Sequence, residues 1–386
     1  MKKQNPWKNL LLILLPIAVL GIFFVADPET RNIGGVLKDI DPWWLLAAVG
    51  SMLLYYAFDT LMFRLAAKYM GLKHSYRESL LTTMYGLFYS SITPLQAGGQ
   101  PMQVVQLKKH GIPVGVSTSV LVLKFLAYQL GVTLLGTLGF FYLGSDVLEG
   151  GVTMLIFYII GYLFYLGSVV LCLLALLKPS WLFEIGEKLI DFLARHRLLR
   201  KPETVANAHE GWKKIITDYG QAAKFALGER MGMFYIFLAA LGTAVCYMAV
   251  TYFLYRGMGY NDYGFVYIVL LQCLLYIAVS FLPIPGGTGA SEGGFYMVFA
   301  KLFTGASRFP AVLLWRTITY YLTLLLGVLA VMIEGFREKK HPPAPEPEEA
   351  MAGAESNGEP TEAAPNRALD DAQPGGDAAQ AASGEE

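Results

Sequence analysis

Apolar runs long enough to cross a lipid bilayer recur along this chain, and they limit its fold more than any other feature. About twenty apolar residues span the hydrocarbon core as a helix. Charged residues make up only 16% of the chain, against about a quarter in an ordinary soluble domain. The sequence therefore predicts an all-α integral membrane protein with about six full transmembrane helices, at 8–26, 43–63, 114–143, 152–177, 231–255 and 311–333.

Two further apolar stretches are broken in the middle by turn-forming residues. They are 79–107, interrupted by "TPLQAGGQP" (93–101), and 263–303, interrupted by "PIPGGTGASEGG" (283–294). Lys and Arg accumulate in cytoplasmic loops, and their distribution puts both ends of the first stretch inside and both ends of the second outside. Arms of about fourteen residues are short for a crossing. We therefore expect two broken, re-entrant helical hairpins, with cytoplasmic N- and C-termini.

The two broken stretches and the helices after them share one spacing pattern. A polar residue is followed 24 residues later by a cation and four residues after that by a tyrosine: Gln100, Lys124 and Tyr128, then Glu292, Arg316 and Tyr320. Because the hairpins enter from opposite sides, this pattern predicts an inverted repeat, the plan of many transporters. Its halves are about 43–143 and 231–333.

The chain divides into a membrane domain, 1–340, and a tail, 341–386. The tail holds eleven acidic residues and one Arg, and such a composition predicts disorder. The remainder carries 29 basic and 19 acidic residues. That excess suits an anionic lipid surface or substrate, although ordinary cytoplasmic loops explain most of it.

A cytoplasmic segment, 178–230, lies between the two halves and begins with an amphipathic pattern. One helical face would carry Trp181, Leu182, Ile185, Leu189, Phe192 and Leu193. Such a helix lies in the membrane interface. The alternative is that this face packs against the underside of the protein itself.

Ionisable residues inside a membrane are costly and usually functional. A helix that begins at mid-membrane also presents free N–H groups, which attract anions. Ser291 is expected to cap the second such helix. The predicted substrate-binding residues are Asp59, Gly98, Gly99, Gln100, Lys124, Tyr128, Gly286, Gly287, Ser291, Glu292, Arg316 and Tyr320.

Glu292 has two interpretations. It neutralises Arg316 or Lys124, because an unpaired buried cation is expensive, or it binds a cationic part of the substrate. Gly293 and Gly294 also have an alternative explanation, which is close packing of helices through small residues. The same alternative applies, more weakly, to Gly286 and Gly287.

The sequence carries none of the common motifs of soluble enzymes. Cys172, Cys246 and Cys273 lie apart in apolar runs, and the five histidines are scattered. No catalytic constellation, metal site, cofactor motif or nucleic-acid-binding pattern is expected.

Three motifs together resemble a known family. They are "SSITPLQAGGQPMQVVQLKKHGIPVGVSTSVLVLKFLAYQ" (90–129), "PIPGGTGASEGGF" (283–295) and "LLWRTITYYLTLLLG" (313–327), and they resemble the lysylphosphatidylglycerol synthase transmembrane-region family over about 8–335. In fuller members this region is the flippase module of the bacterial multiple peptide resistance factor. A C-terminal aminoacyltransferase domain there makes the lipid from aminoacyl-tRNA, and we expect this chain to be without it. Many relatives carry an Arg-Glu pair near the position of Gln100, so head-group preference is expected to differ.

The resemblance and the residues together predict a flippase-like transporter in the bacterial plasma membrane. Its substrate would be (aminoacyl-)phosphatidylglycerol or a related anionic phospholipid. The alternative is a lipid-modifying enzyme or subunit, by family name a phosphatidylglycerol lysyltransferase, that contributes to resistance to cationic antimicrobial peptides. A separate aminoacyl-lipid synthase is a candidate partner, and a homo-oligomer is compatible with the sequence.

Overall fold

The computed structural model of the chain describes residues 33–72, 74–144, 152–196 and 202–340. Regular structure in these ranges is helical throughout, which confirms the predicted all-α fold. The predicted span at 8–26 and the acidic tail at 341–386 lie outside the described residues. The α-helices are α1 Ile33–Asp39, α2 Pro42–Tyr69, α3 Tyr76–Ile92, α4 Gly99–Lys109, α5 Val114–Tyr142, α6 Val152–Leu177, α7 Pro179–Arg195, α8 Pro202–Gly228, α9 Arg230–Gly257, α10 Phe265–Val279, α11 Ala290–Val298, α12 Arg308–Arg316 and α13 Leu322–Lys340.

Five helical segments in the described ranges are long and apolar enough to cross a membrane. They are Pro42–Tyr69, Val114–Tyr142, Val152–Leu177, Arg230–Gly257 and Gly305–Arg337. These segments confirm five of the six predicted spans, with ends that move by a few residues. The last one contains a π-helical turn, Thr317–Tyr321, which joins α12 to α13 and which the sequence pattern did not predict.

Helix starts follow local capping chemistry. The Asp41 carboxylate accepts the N–H of Trp43 at 2.9 Å, and Pro42 occupies the first position of α2, where its missing N–H removes nothing. At the start of α3 the Ser75 hydroxyl accepts the N–H of Glu78, whose carboxylate accepts the N–H of Ser75 in return. These caps fix the entry points of two helices that later carry site residues.

The helices of the two chain halves pack on one another in reciprocal fashion. α2, in the first half, packs along α9, in the second. α3 packs on α13, while α10 packs on α5, so that the first arm of each broken stretch contacts the long helix of the other half. The two breaks, Pro94–Gln96 and Pro285–Gly287, also contact each other.

An aromatic cluster fixes the short helix α11 in place. Phe295 stacks on Phe303 with ring centroids 5.6 Å apart and lies 5.1 Å from the ring of Trp315 on α12. Phe295 and Phe303 are fully buried. Rings of this size remove much apolar surface from contact with solvent or lipid, so α11 is held firmly against α12, next to the second break.

Helix α7 has one packed face and one open face. A Cβ on Gly186 would lie 2.0 Å from the indole of Trp212, which shows how closely α7 approaches α8. Of the predicted apolar face, Leu182 and Leu193 are partly buried. The other four side chains are exposed, so the described part of the protein does not cover them: Trp181, Ile185, Leu189 and Phe192.

Candidate functional site

The structure pairs Glu292 with Arg316. The Arg316 Nε–H donates to Glu292 Oε1 at 2.6 Å. Glu292 is fully buried, and only 3% of the surface of Arg316 is exposed. A buried ion pair of this kind keeps a cation in the interior without leaving its charge uncompensated. Of the two interpretations of Glu292, this geometry is that of the neutralising partner, and the partner is Arg316 rather than Lys124.

The rest of the Arg316 guanidinium holds the second break. Its two terminal nitrogens donate to the carbonyl oxygens of Gly286 at 3.3 Å and Gly287 at 3.4 Å. The guanidinium carbon also lies 5.4 Å from the ring centroid of Tyr320, one turn further on. The planar, forked guanidinium suits several fixed acceptors at once, so Arg316 positions the glycine backbone of the break.

Glu292 also occupies the helix end where the sequence predicted an anion site. Its second oxygen, Oε2, accepts the N–H of Gly289 at 2.6 Å, at the start of α11. Gly289, with φ 87°, is the N-cap residue. The expectation that Ser291 caps this helix is therefore wrong, because the side chain of Glu292 takes that role and Ser291 lies inside the helix.

The second cation, Lys124, also has a carboxylate partner. Lys124 Nζ donates to Asp59 Oδ2 at 2.7 Å, and the side chains are 14% and 8% exposed. Asp59 lies on α2 and Lys124 on α5, 65 residues apart. The sequence named both as candidate site residues, but it gave no signal that they form a pair.

The Asp59–Lys124 pair lines a cavity of about 490 Å³. Gln100 and Tyr128 line the same cavity, so four of the predicted site residues meet there. Its wall also includes residues from the first break and from α6: Leu95, Gln96, Ala97, Phe164 and Tyr165. Leu95 and Phe164 are 44% and 45% exposed, so this wall reaches the outer surface of the protein.

One wall of this cavity carries a polar group without a protein partner. The hydroxyl of Thr83 is buried and makes no hydrogen bond within the described residues. Gln103 nearby is satisfied, because its amide donates to the carbonyl of Thr82 at 2.9 Å. A buried hydroxyl normally has a partner, but the Thr83 oxygen has almost no accessible surface, so a group in the cavity would not reach it in this conformation.

Gly98 and Gly99 serve the close approach of the hairpin arms. A Cβ on Gly99 would lie 2.0 Å from Ser90 Oγ, and one on Gly98 would lie 2.5 Å from the Thr93 methyl carbon. The Gly98 N–H donates to the Thr93 hydroxyl at 2.9 Å. These contacts are those of small residues that allow close packing.

Two smaller cavities, of about 50 and 70 Å³, border Arg316. Ser291 and Gly287 line the smaller, Tyr320 lines the larger, and Gly286 lines both. A Cβ on Gly286 would lie 2.4 Å from the Tyr320 ring, and its φ of 60° strains any L side chain. The predicted residues of the second half thus gather around Arg316.

The two breaks have nearly the same backbone conformation. Each is a short 3-10 turn that begins with proline, at Pro94 and Pro285. The second residue is left-handed in both, with φ 53° and ψ 14° at Leu95 and φ 60° and ψ 11° at Gly286. The third, Gln96, has φ 57°. Sequence reasoning missed Leu95 and Gln96 because neither is glycine, and only the shared proline could have indicated the match.

The sequence of this chain is similar to one protein family and to two membrane proteins. The family model described as the lysylphosphatidylglycerol synthase TM region matches residues 9–327. A UPF0104 membrane protein of Archaeoglobus fulgidus is 26% identical over 333 residues, which is 83% of this chain and 94% of that protein. A second, from Methanocaldococcus jannaschii, is 23% identical over 359 residues, or 86% of this chain and 96% of that protein.

Proposed function

The chain belongs to the lysylphosphatidylglycerol synthase transmembrane-region family, and we propose that it is a flippase-like lipid transporter. Its substrate is (aminoacyl-)phosphatidylglycerol or a related anionic phospholipid, which it moves between leaflets. The observation that carries this proposal is the cavity that contains Lys124 and Asp59 and has exposed apolar residues in its wall.

The cavity has the two kinds of surface that a phospholipid needs. Lys124 has three ammonium donors and Asp59 takes one of them, so donors remain for a phosphate oxygen. A volume of about 490 Å³ falls within the usual range for small-ligand sites. Leu95 and Phe164 would face acyl chains that stay in the bilayer. In this proposal Tyr128 and Gln100 supply further hydrogen bonds.

The packing of the helices supports the re-entrant, inverted-repeat architecture. The reciprocal contacts of α3 with α13 and of α10 with α5 are those expected of two related halves. The arms α4 and α11 have 11 and 9 residues. At 1.5 Å per residue even the longer is about 17 Å long, short of the roughly 30 Å hydrocarbon core.

In the proposed orientation the basic segment 178–230 and both termini lie in the cytoplasm. That segment holds ten Lys and Arg residues, and a bias of this kind sets membrane orientation. We place the protein in the plasma membrane of a bacterium, as the resemblance to the multiple peptide resistance factor implies. Moving aminoacylated lipid outward would there reduce binding of cationic antimicrobial peptides.

A lipid-modifying role is the second candidate, because the family's description names a synthase. That role would make aminoacyl lipid, either by this chain or with a separate synthase. Expressing the chain in cells without another synthase and measuring aminoacyl-phosphatidylglycerol tests it. Formation of that lipid would favour the enzyme, and its absence together with lipid translocation would favour the transporter.

The direct test is translocation in reconstituted liposomes. Phosphatidylglycerol with a fluorescent acyl chain is followed by chemical quenching of the outer leaflet. We expect wild-type protein to exceed empty liposomes and Lys124→Met to lose most of this excess. Lys188→Met is the matched control, because Lys188 is exposed on α7, outside the cavity.

The exchanged pair Asp59→Lys/Lys124→Asp separates pairing from substrate binding. It keeps one cation beside one carboxylate, so we expect a melting temperature near that of the wild type. Translocation should stay low, because the cation has moved to α2. Wild-type rates in Lys124→Met would refute the role of Lys124, and restored rates in the exchanged protein would show that pairing alone matters.

A further inference from the structure

The first break carries side chains in a conformation that favours glycine. Leu95 and Gln96 are the non-glycine residues with positive φ within the described ranges, at 53° and 57°. Left-handed backbone strains such residues. At the second break Gly286 and Gly287 adopt φ values of 60° and 64° without a side chain. The first break therefore keeps two side chains where glycine would fit more easily.

Gln96 lies between the cavity of the first half and the cavities of the second half. It lines the large cavity that holds Asp59 and Lys124, and it also lines both small cavities beside Arg316. Tyr276 is the other residue that borders all three. A polar group that occupied any of these three cavities would therefore lie beside the Gln96 side chain.

The Gln96 carboxamide is free to bind such a group. The side chain is exposed, and no described residue forms a hydrogen bond with its amide. The backbone is fixed independently, since the Gln96 N–H donates to the carbonyl of Thr93 at 3.2 Å. A carboxamide offers two N–H donors and a carbonyl acceptor without a net charge.

We propose that Gln96 is a specificity-determining residue that selects lipid head-groups carrying hydroxyl or ammonium donors. This inference rests on the proposed transport function and assigns its selectivity to one side chain. The amide N–H groups donate to a phosphate oxygen, which all phospholipids have. The amide carbonyl accepts from the glycerol hydroxyls of phosphatidylglycerol or from an ammonium group. Phosphatidylcholine has no head-group donor and cannot use that acceptor.

The competing explanation is that Gln96 only shapes the break, and four variants separate the two. Gln96→Leu keeps the size but removes the amide. Gln96→Asn keeps an amide on a residue that tolerates left-handed backbone. Gln96→Gly removes the side chain and relieves the strain, so it should fold even if Gln96→Leu does not. Leu95→Gly relieves the same kind of strain one residue earlier and leaves the amide in place.

The measurement is the ratio of translocation rates of phosphatidylglycerol and phosphatidylcholine, each with the same acyl-chain label, in proteoliposomes. We expect the wild-type protein to favour phosphatidylglycerol. Loss of one hydrogen bond should lower the ratio by about three- to tenfold in Gln96→Leu and Gln96→Gly. Gln96→Asn should stay within about twofold of the wild-type ratio, a smaller change than the loss of one hydrogen bond. Leu95→Gly alters a residue that would face the acyl chains, which both lipids share, so the two rates should change together and their ratio should stay within about twofold.

The outcomes separate this inference from the proposed function. If wild-type protein moves neither lipid faster than empty liposomes, the transport function itself is refuted. If the protein transports lipid but Gln96→Gly and Gln96→Leu keep the wild-type ratio, the role of Gln96 is refuted. An equal fall in Leu95→Gly would also overturn it, because backbone conformation rather than the amide would then set selectivity.

Discussion

Arg316 and Glu292 form a buried ion pair at 2.6 Å although 24 residues separate them along the chain. Each partner also fixes backbone, because Arg316 contacts the Gly286 and Gly287 carbonyl groups and Glu292 caps α11 at Gly289. One pair thus joins α12, the second break and the start of α11. Its loss should affect stability as well as the proposed transport.

Glu292→Gln should destabilise the protein by about 3–5 kcal/mol, because it leaves the Arg316 charge buried without a counter-charge. The double variant Glu292→Gln/Arg316→Gln should recover part of that loss, since no charge remains to be compensated. Thermal unfolding in detergent measures both. Glu184→Gln, an exposed carboxylate on α7, is the control and should leave the melting temperature unchanged. A double variant less stable than the single one would contradict this account.

Gly161→Ala should separate α6 from α10. A Cβ at Gly161 would lie 2.0 Å from the carbonyl oxygen of Ile277, whereas one at Gly167, on the same helix, meets nothing within 4 Å. Overpacking against backbone costs about 1–3 kcal/mol, while alanine in an open helical position gains up to about 1 kcal/mol. Thermal unfolding should therefore show a loss for Gly161→Ala only. Equal behaviour of the two variants would disprove the close contact.

His74 should make the protein sensitive to mild acid. Burial lowers the pKa of His74 below its ordinary 6.5, and the charges of His110 and Arg337 act in the same direction, whereas Glu78 opposes them. Because the unfolded chain binds the proton more readily, stability falls as pH drops below about 6.5, until the folded pKa is passed. The stability that neutral His74 contributes is therefore complete only above the unfolded pKa.

His74→Gln tests this pH dependence. Melting temperatures measured between about pH 7.5 and 5 should fall less steeply in this variant than in the wild type. The control is His196→Gln, which changes an exposed histidine at the end of α7 and should keep the wild-type slope. An unchanged slope in His74→Gln would assign the acid sensitivity to other groups.

The open face of α7 should lie in the lipid interface. Leu189 is 54% exposed on this face, and an amphipathic helix buries such side chains among lipid head-groups and acyl chains. Fluorescent labels at Leu189→Cys and Asp191→Cys are compared in liposomes of brominated lipid, after the native cysteines are replaced. The label at 189 should be quenched and the label at 191 much less. Equally weak quenching of the two labels would argue that another protein surface covers this face.

Span positions were predictable because membrane crossing depends on local run length. The stretch 152–177 matches its helix at both ends, and 114–143 ends one residue beyond its helix. The amphipathic pattern of α7 was equally local. Run length in the first case and hydrophobic periodicity in the second are both read from a short window, and no distant contact is needed.

The partners of the charged residues were harder to predict because they depend on tertiary packing. The sequence placed Asp59 and Lys124 in one candidate site, but a pair 65 residues apart has no local signature. Ser291 looked like a cap because serine often is one. That prediction was wrong because the Glu292 side chain, and not that of Ser291, accepts the N–H of Gly289 at the start of α11. Leu95 and Gln96 escaped notice because strained backbone is not encoded by residue type.

The two ion pairs have an electrical consequence. Asp59 with Lys124 and Glu292 with Arg316 each sum to zero formal charge. A rearrangement that translates both pairs intact therefore transfers no net charge through these four side chains. A charge that crosses the membrane changes its energy by about 2.3 kcal/mol per 100 mV. In the proposed transport, voltage would therefore act on the lipid, pushing anionic phosphatidylglycerol and its cationic lysyl ester in opposite directions.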